Sequence, residues 1–111
     1  MFAKLFGAGS GVAEVDVHEA KRRQDEGAVL VDVRESDEWR DGHAKGARHI
    51  PLGDLSRRVG ELPKDRDILL ICRSGNRSRT AAQLLQRAGY ERVVNVQGGT
   101  TAWMRQSLPL G

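Results

Sequence analysis

Apolar residues in this chain fall into short, nearly unbroken runs, separated by charged stretches in which apolar positions recur every three to four residues. Residues 28–33 (Ala-Val-Leu-Val-Asp-Val), 68–71 (Ile-Leu-Leu-Ile) and 93–96 (Val-Val-Asn-Val) are the clearest runs. Such runs, without apolar–polar alternation, fit strands buried on both faces, as in a parallel sheet. Val15 and Val17 predict a short edge strand, and residues 47–50 a brief one closed by Pro51. Between the runs lie helical signals. Asp16, with Glu19 three residues later, forms a capping-box pattern that opens a helix through Ala20, Lys21 and Gln24 and stops at Gly27. Ser36 is expected to cap a short helix through Trp39, ended by Gly42. Residues 54–62 place Leu55, Val59 and Leu62 on one side of another. A helix from Ser78 carries Ala81, Ala82, Leu84, Leu85 and Ala88 and stops at Gly89, while Gly98-Gly99 turns into a last helix with Ala102, Trp103 and Met104.

This alternation predicts an α/β fold in three layers: a central parallel sheet of about five short strands with helices on both faces. Residues 1–13 are rich in glycine, with a serine, and show no periodicity, so they read as a flexible leader before a single domain over 14–111.

Composition narrows the partners. With 111 residues, 39% apolar and 30% charged, the chain can bury a core without disulfide or metal staples. A net charge of +3 with no basic cluster in a recognisable module argues against a nucleic-acid partner and suits a small anionic substrate. The single cysteine, Cys72, excludes an internal disulfide, a resolving cysteine in the same chain and a thiolate-rich zinc site. His18, His43 and His49 lack the paired spacing of a helical metal site, so neither a metal nor another cofactor is expected. The apolar start of the chain is too short for a signal-peptide core and nothing resembles a membrane span, so no membrane partner and a cytoplasmic location are expected. Oligomeric state is left open.

The candidate chemistry sits at the end of the run 68–71. There Cys72 is followed by Arg73-Ser74-Gly75-Asn76-Arg77-Ser78 and then the alanine- and leucine-rich helix. Ligands of open α/β sheets bind outside the carboxyl ends of the strands, where Cys72, Asp32 and Arg34 all fall. To join strand and helix so tightly, residues 73–77 must curl around the sulfur, and Gly75, with Asn76 second, can adopt the positive φ this needs. Successive N–H groups then form an anion-binding nest reinforced by the helix N-terminus. The sulfur is expected to be largely thiolate at neutral pH, and thus a nucleophile.

The loop, together with three further segments, resembles the single-domain rhodanese (thiosulfate sulfurtransferase) family. Val31-Asp32-Val33-Arg34 is similar to that family's Asp-Val-Arg segment. Residues 42–51 resemble its Gly-His-Ile-x-Gly-Ala-x-Asn-Ile-Pro segment, with Ala44, Lys45 and His49 departing from it, and Gly98-Gly99-Thr100-Thr101-Ala102-Trp103 resembles its closing Gly-Gly-x-x-x-Trp element. The four matches occur in order over roughly residues 15–106.

The resemblance implies a rhodanese-like fold and a two-step sulfur transfer with Cys72 as the catalytic residue. Its thiolate takes the outer sulfur of thiosulfate or a related donor, and the persulfide is passed to cyanide, a small thiol or a protein cysteine. Arg73, Ser74, Gly75, Asn76, Arg77 and Ser78 are the implied substrate-binding residues, the two arginines taking the sulfonate end and Ser78 adding a hydroxyl bond as it caps the helix. Asp32 and Arg34 are read as structural support, Asp32 bonding loop N–H groups and Arg34 pairing with Glu35 or Glu38. A persulfide carrier serving a partner protein is the alternative. Phosphatases that share this fold need five residues between cysteine and arginine to ring a tetrahedral phosphate. Here four separate Cys72 from Arg77. His43 and His49 are expected to bond backbone groups, Trp39 and Trp103 to pack, and Lys21-Arg22-Arg23 to form a solvated helix face.

Overall fold

Within residues 11–111, which the computed structural model describes, helices connect the successive strands and all strands run in one direction. The order is β1 (Ala13–Val15), α1 (Val17–Asp25), β2 (Val29–Asp32), α2 (Ser36–Arg40), β3 (Arg48–His49), α3 (Leu52–Arg58), β4 (Ile68–Ile71), α4 (Asn76–Arg87), β5 (Val93–Val96) and α5 (Gly99–Arg105). In space the strands lie β1-β5-β4-β2-β3, which is the α/β sheet with flanking helices that the sequence predicts. β4, the strand that leads into Cys72, is the middle one.

The unbroken apolar runs have a direct cause: successive side chains point to opposite faces, and both faces are covered. Ile68, Leu70 and Cys72 enter one core with Val29, Val31 and Val33, beneath Leu55 of α3 and Ala81, Ala82 and Leu85 of α4. Leu69 and Ile71 enter the other with Leu30, Val94 and Val96, against Val17 and Ala20 of α1 and Trp103 of α5. Trp103 is therefore core. Ala88, which the helical spacing groups with Ala81, Ala82 and Leu85, is exposed at the helix C-cap.

The ends of the elements depart from the sequence reading in instructive ways. Of the expected leader, residues 1–10 lie outside the described residues, while Val12 is fully buried and Ala13 already belongs to β1. Val17, expected in the edge strand, is instead the first residue of α1, behind the Asp16 cap whose carboxylate accepts the Glu19 N–H at 2.9 Å. Ser36 does not cap α2. Glu35 does, and Glu38 reaches back to its N–H at 3.1 Å. The helix expected over 54–62 begins at Leu52 and breaks at Arg58 into a 3-10 turn, Val59–Glu61. On α1, Lys21 and Arg22 pair with Asp25, Glu19 and Glu26 on the same helix, and Arg23 with Glu19 and Asp67. Such partly exposed pairs add little stability.

Asp32 and Arg34 lock the end of β2. The Asp32 carboxylate, fully buried, accepts the Arg34 backbone N–H at 3.0 Å and its guanidinium at 2.7–3.0 Å. Arg34 thus pairs with Asp32, not with Glu35 or Glu38, because two residues across a strand end bring the charges together without leaving the core. The guanidinium also donates to the Gly42 carbonyl at 2.8 Å. His49 bonds the Arg34 carbonyl at 2.7 Å and His43 the Trp39 carbonyl at 2.9 Å, and the Trp39 ring is stacked on both, with centroids 3.5 Å from His43 and 4.7 Å from His49. Removing one partner of a buried pair strands the other charge. Asp32→Ala is expected to lower the unfolding free energy by about 3–5 kcal/mol, read by urea denaturation. A loss no larger than that of a surface substitution would show that Arg34 has another partner.

Candidate functional site

The chain leaves β4 at Cys72 and is helical again from Asn76, so only three residues make the turn. Gly75 makes it possible: its φ is +116°, a left-handed conformation that side chains disfavour. Asn76 is an ordinary helical residue, so the positive φ that the sequence shared between the two belongs to Gly75 alone among the loop's residues. α4 starts two residues before Ser78, and Ser78 is a buried residue of its first turn rather than its cap.

This geometry gathers donors on one sulfur. The Gly75 N–H lies 3.1 Å and the Ser78 hydroxyl 3.2 Å from Cys72 Sγ, with the N–H groups of Ser74 and Ser78 also directed at it. Burial pushes the Cys72 thiol up, but the Ser78 hydroxyl and the N–H groups of Ser78, Gly75 and Ser74 outweigh it, and the net shift is downward. The first turn of α4 adds the positive end of its dipole. Cys72 as a whole is 1% exposed, so a partner must reach the sulfur with a narrow terminal atom.

The loop carbonyls are tied back. The Cys72 carbonyl accepts from the Thr100 N–H at 2.8 Å and its hydroxyl at 3.1 Å, the Arg73 carbonyl from the Thr101 N–H at 3.1 Å, and the Gly75 carbonyl from the Asn95 side-chain amide at 3.0 Å. The first turn of α5 therefore grips the loop. Gly99 permits the approach: a Cβ there would stand 2.4 Å from the Cys72 carbonyl oxygen and 2.5 Å from that of Arg73.

The two loop arginines differ. Arg77 is clamped by Glu38 of α2, with Nη1 at 2.7 Å from Oε1 and Nη2 at 2.8 Å from Oε2. Two of its five N–H groups are thus engaged, leaving the others for a ligand. Arg73 is exposed and lines a cavity of about 270 Å3 with Glu38, Asp41, Thr101 and Met104. A larger hollow, about 660 Å3, lies at the opposite end of the sheet among the ion-paired Arg23, Asp67 and Arg92 and holds no reactive group.

Sequence reasoning missed Glu38, Asn95 and the α5 turn as parts of the site. Asn95 carried a signal, a polar residue inside a run buried on both faces. Glu38 carried none, since only the fold brings it to Arg77 across 39 positions.

The rhodanese-like domain family model matches residues 16–106, and the chain belongs to that family. It is 40% identical over 101 residues to a sulfurtransferase of Allochromatium vinosum, covering 89% of this chain and 94% of that protein. It is 33% identical over 98 residues to the thiosulfate sulfurtransferase GlpE of Actinobacillus pleuropneumoniae, covering 87% and 91%. To the putative sulfur carrier protein YrkF of Bacillus subtilis it is 36% identical over 96 residues, covering 85% of this chain and 52% of that one. Among solved structures, the rhodanese-like domain of the Anabaena Alr3790 protein superposes with a TM-score of 0.79 at 33% identity, over 88% of this chain and 77% of that one.

Arg77 holds the Glu38 carboxyl down to about 2, with the Glu35 N–H adding to the effect. A carboxyl lowered by folding stabilises the fold above its ordinary value near 4.5 and loses that contribution as pH falls toward 2. Glu38→Gln is expected to be less stable than wild type at neutral pH, with the gap closing between pH 4.5 and 2. Urea midpoints across that range check it, and a constant gap would mean that the charge on Glu38 is irrelevant.

Proposed function

We propose that this protein is a sulfurtransferase that moves a sulfane sulfur from thiosulfate or a related anionic donor to a thiol or cyanide through a persulfide on Cys72. The observation that carries the reading is the convergence of N–H groups and the Ser78 hydroxyl on one ionisable sulfur. In the first step the Cys72 thiolate attacks the outer sulfur of thiosulfate. The donor's S–S bond breaks, its electron pair leaves on sulfite, and Cys72 becomes Cys–S–S⁻. In the second, an acceptor thiolate or cyanide attacks the outer sulfur and the Cys72 thiolate is released.

The enclosing donors suit this chemistry, because negative charge is present at every stage and moves only by one atom. Preorganised donors stabilise such charge without rearrangement. Arg73, exposed beside the loop, is assigned to the donor's sulfonate oxygens, with the free N–H groups of Arg77 assisting. Ser74, Gly75, Asn76 and Ser78 shape the cradle, with Asp32 and Arg34 supporting it from β2. A free nucleophilic thiol needs a reducing compartment, which favours the cytoplasm. The likeness to YrkF favours a second reading, in which the same persulfide is carried to a partner protein.

Intact mass after incubation with thiosulfate is expected to rise by one sulfur atom in wild type and not in Cys72→Ser. Absence of the gain in wild type would remove the reading, and thiocyanate release with cyanide then separates turnover from carriage. Arg73→Ala is expected to raise the KM for thiosulfate roughly tenfold, the scale of one charge-assisted bond, with kcat nearly unchanged. An unaltered KM would remove Arg73 from donor binding.

A further inference from the structure

Ser78 Oγ stands between two acceptors. Asn95 Oδ1 is 2.5 Å away and Cys72 Sγ 3.2 Å. A hydroxyl has one proton, so it cannot donate to both at once. The Asn95 amide is oriented by its other end, since Nδ2 must donate to the Gly75 carbonyl at 3.0 Å, which turns Oδ1 toward Ser78. Asn95 and Ser78 are both fully buried. Asn95 lies beside Leu70 in the sheet register, on the face where Leu70 and Cys72 enter the core under α4. An apolar residue would fill that place in the run Val93–Val96 at no polar cost.

We infer that Asn95 is a positioning residue for the sulfur: its side-chain oxygen holds the Ser78 proton while Cys72 Sγ is uncharged and yields it when Sγ is a thiolate. The inference rests on the persulfide reading for its role in turnover. With Sγ as a thiolate, the charged sulfur is the stronger acceptor, the hydroxyl turns to it, and Asn95 Oδ1 is left facing a lone pair. With Sγ inside a persulfide, the charge sits one atom further out, Sγ accepts weakly, and the proton returns to Oδ1. Asn95 therefore favours the loaded form over the resting thiolate and keeps that thiolate from being stabilised into inertness. Its Nδ2 holds the Gly75 carbonyl, whose peptide unit carries the Asn76 N–H and not the Gly75 N–H that faces the sulfur.

The charges around the sulfur are supplied by other residues. Arg77 and Arg79 of α4 both feel the Cys72 charge and are paired with Glu38 of α2 and Glu14 of β1. Arg73 stands on the loop, and the Asp32–Arg34 pair closes the end of β2. Replacing Asn95 leaves all of these in place.

The test is the pH profile of Cys72 alkylation by iodoacetamide in the full chain, for Asn95→Leu and Asn95→Asp, each with and without Ser78→Ala. Asn95→Leu is expected to release the Ser78 proton to the sulfur, moving the midpoint down and raising the rate below it roughly threefold, the scale of part of one hydrogen bond to a charge. Asn95→Asp, a stronger acceptor beside the sulfur, is expected to move the midpoint up. In the Ser78→Ala background the effect of Asn95→Leu should vanish. A residue that only held the loop in shape would raise the midpoint in both variants, with or without Ser78, and that result overturns the proposal. Should Asn95→Leu not fold, Asn95→Asp decides alone: its shift must shrink when Ser78 is alanine, and an unchanged or absent shift overturns it. Alkylation needs no sulfur donor, so its outcome is independent of the mass measurement that tests the persulfide itself.

Discussion

A peptide unit has two polar ends, and tying one fixes where the other points. The site depends on that constraint. The Arg73 carbonyl, held by the Thr101 N–H, shares its peptide unit with the Ser74 N–H that is directed at the sulfur, and the carbonyls of Cys72 and Gly75 are anchored beside it by Thr100 and Asn95. An anion cradle of this kind needs no cationic side chain in contact with its guest. Its partial charges belong to the backbone and cannot be titrated away. α5 and β5 hold the loop from outside, so the arrangement of donors around the thiol is a property of β4, β5 and two helices together.

Side-chain charge acts one layer out. Arg77 ties α4 to α2 through Glu38, and Arg79 ties it to β1 through Glu14. These pairs fix the first turns of the helix whose N-terminus faces the sulfur while neutralising the arginines that would otherwise dominate the local field. Arg73 differs from them in being exposed on the loop beside a hollow. Backbone dipoles thus surround the sulfur, and the exposed guanidinium stands outside them.

Much of this was legible in the residues. The runs 68–71 and 93–96 coincide with β4 and β5, because unbroken β-branched and aliphatic sequence has few alternatives to a strand covered on both sides. The turn at Gly75 and the Gly98-Gly99 entry to α5 were readable from glycine, although its second purpose at Gly99, room for two carbonyls of another segment, was not. Helix starts were the weakest part: Ser36 and Ser78 both look like caps, yet Glu35 and Gly75 hold those positions. A cap depends on backbone conformation one residue at a time, which composition does not encode. The partner of Arg34 was misread for a related reason, since a carboxylate two residues back becomes a neighbour only when the strand ends between them. Glu38 and Asn95 reach the site through tertiary folding, over separations of 39 and 17 residues from Arg77 and Ser78.

The order of these parts along the chain has a consequence during synthesis. Cys72 leaves the ribosome before Asn95 and before the Gly99–Thr101 turn that ties back its loop. Domains acquire their packing as the later segments arrive. Until β5 and α5 dock, the carbonyls of Cys72, Arg73 and Gly75 lack the partners that Thr100, Thr101 and Asn95 supply, so the loop around the sulfur takes its final form only with those later segments.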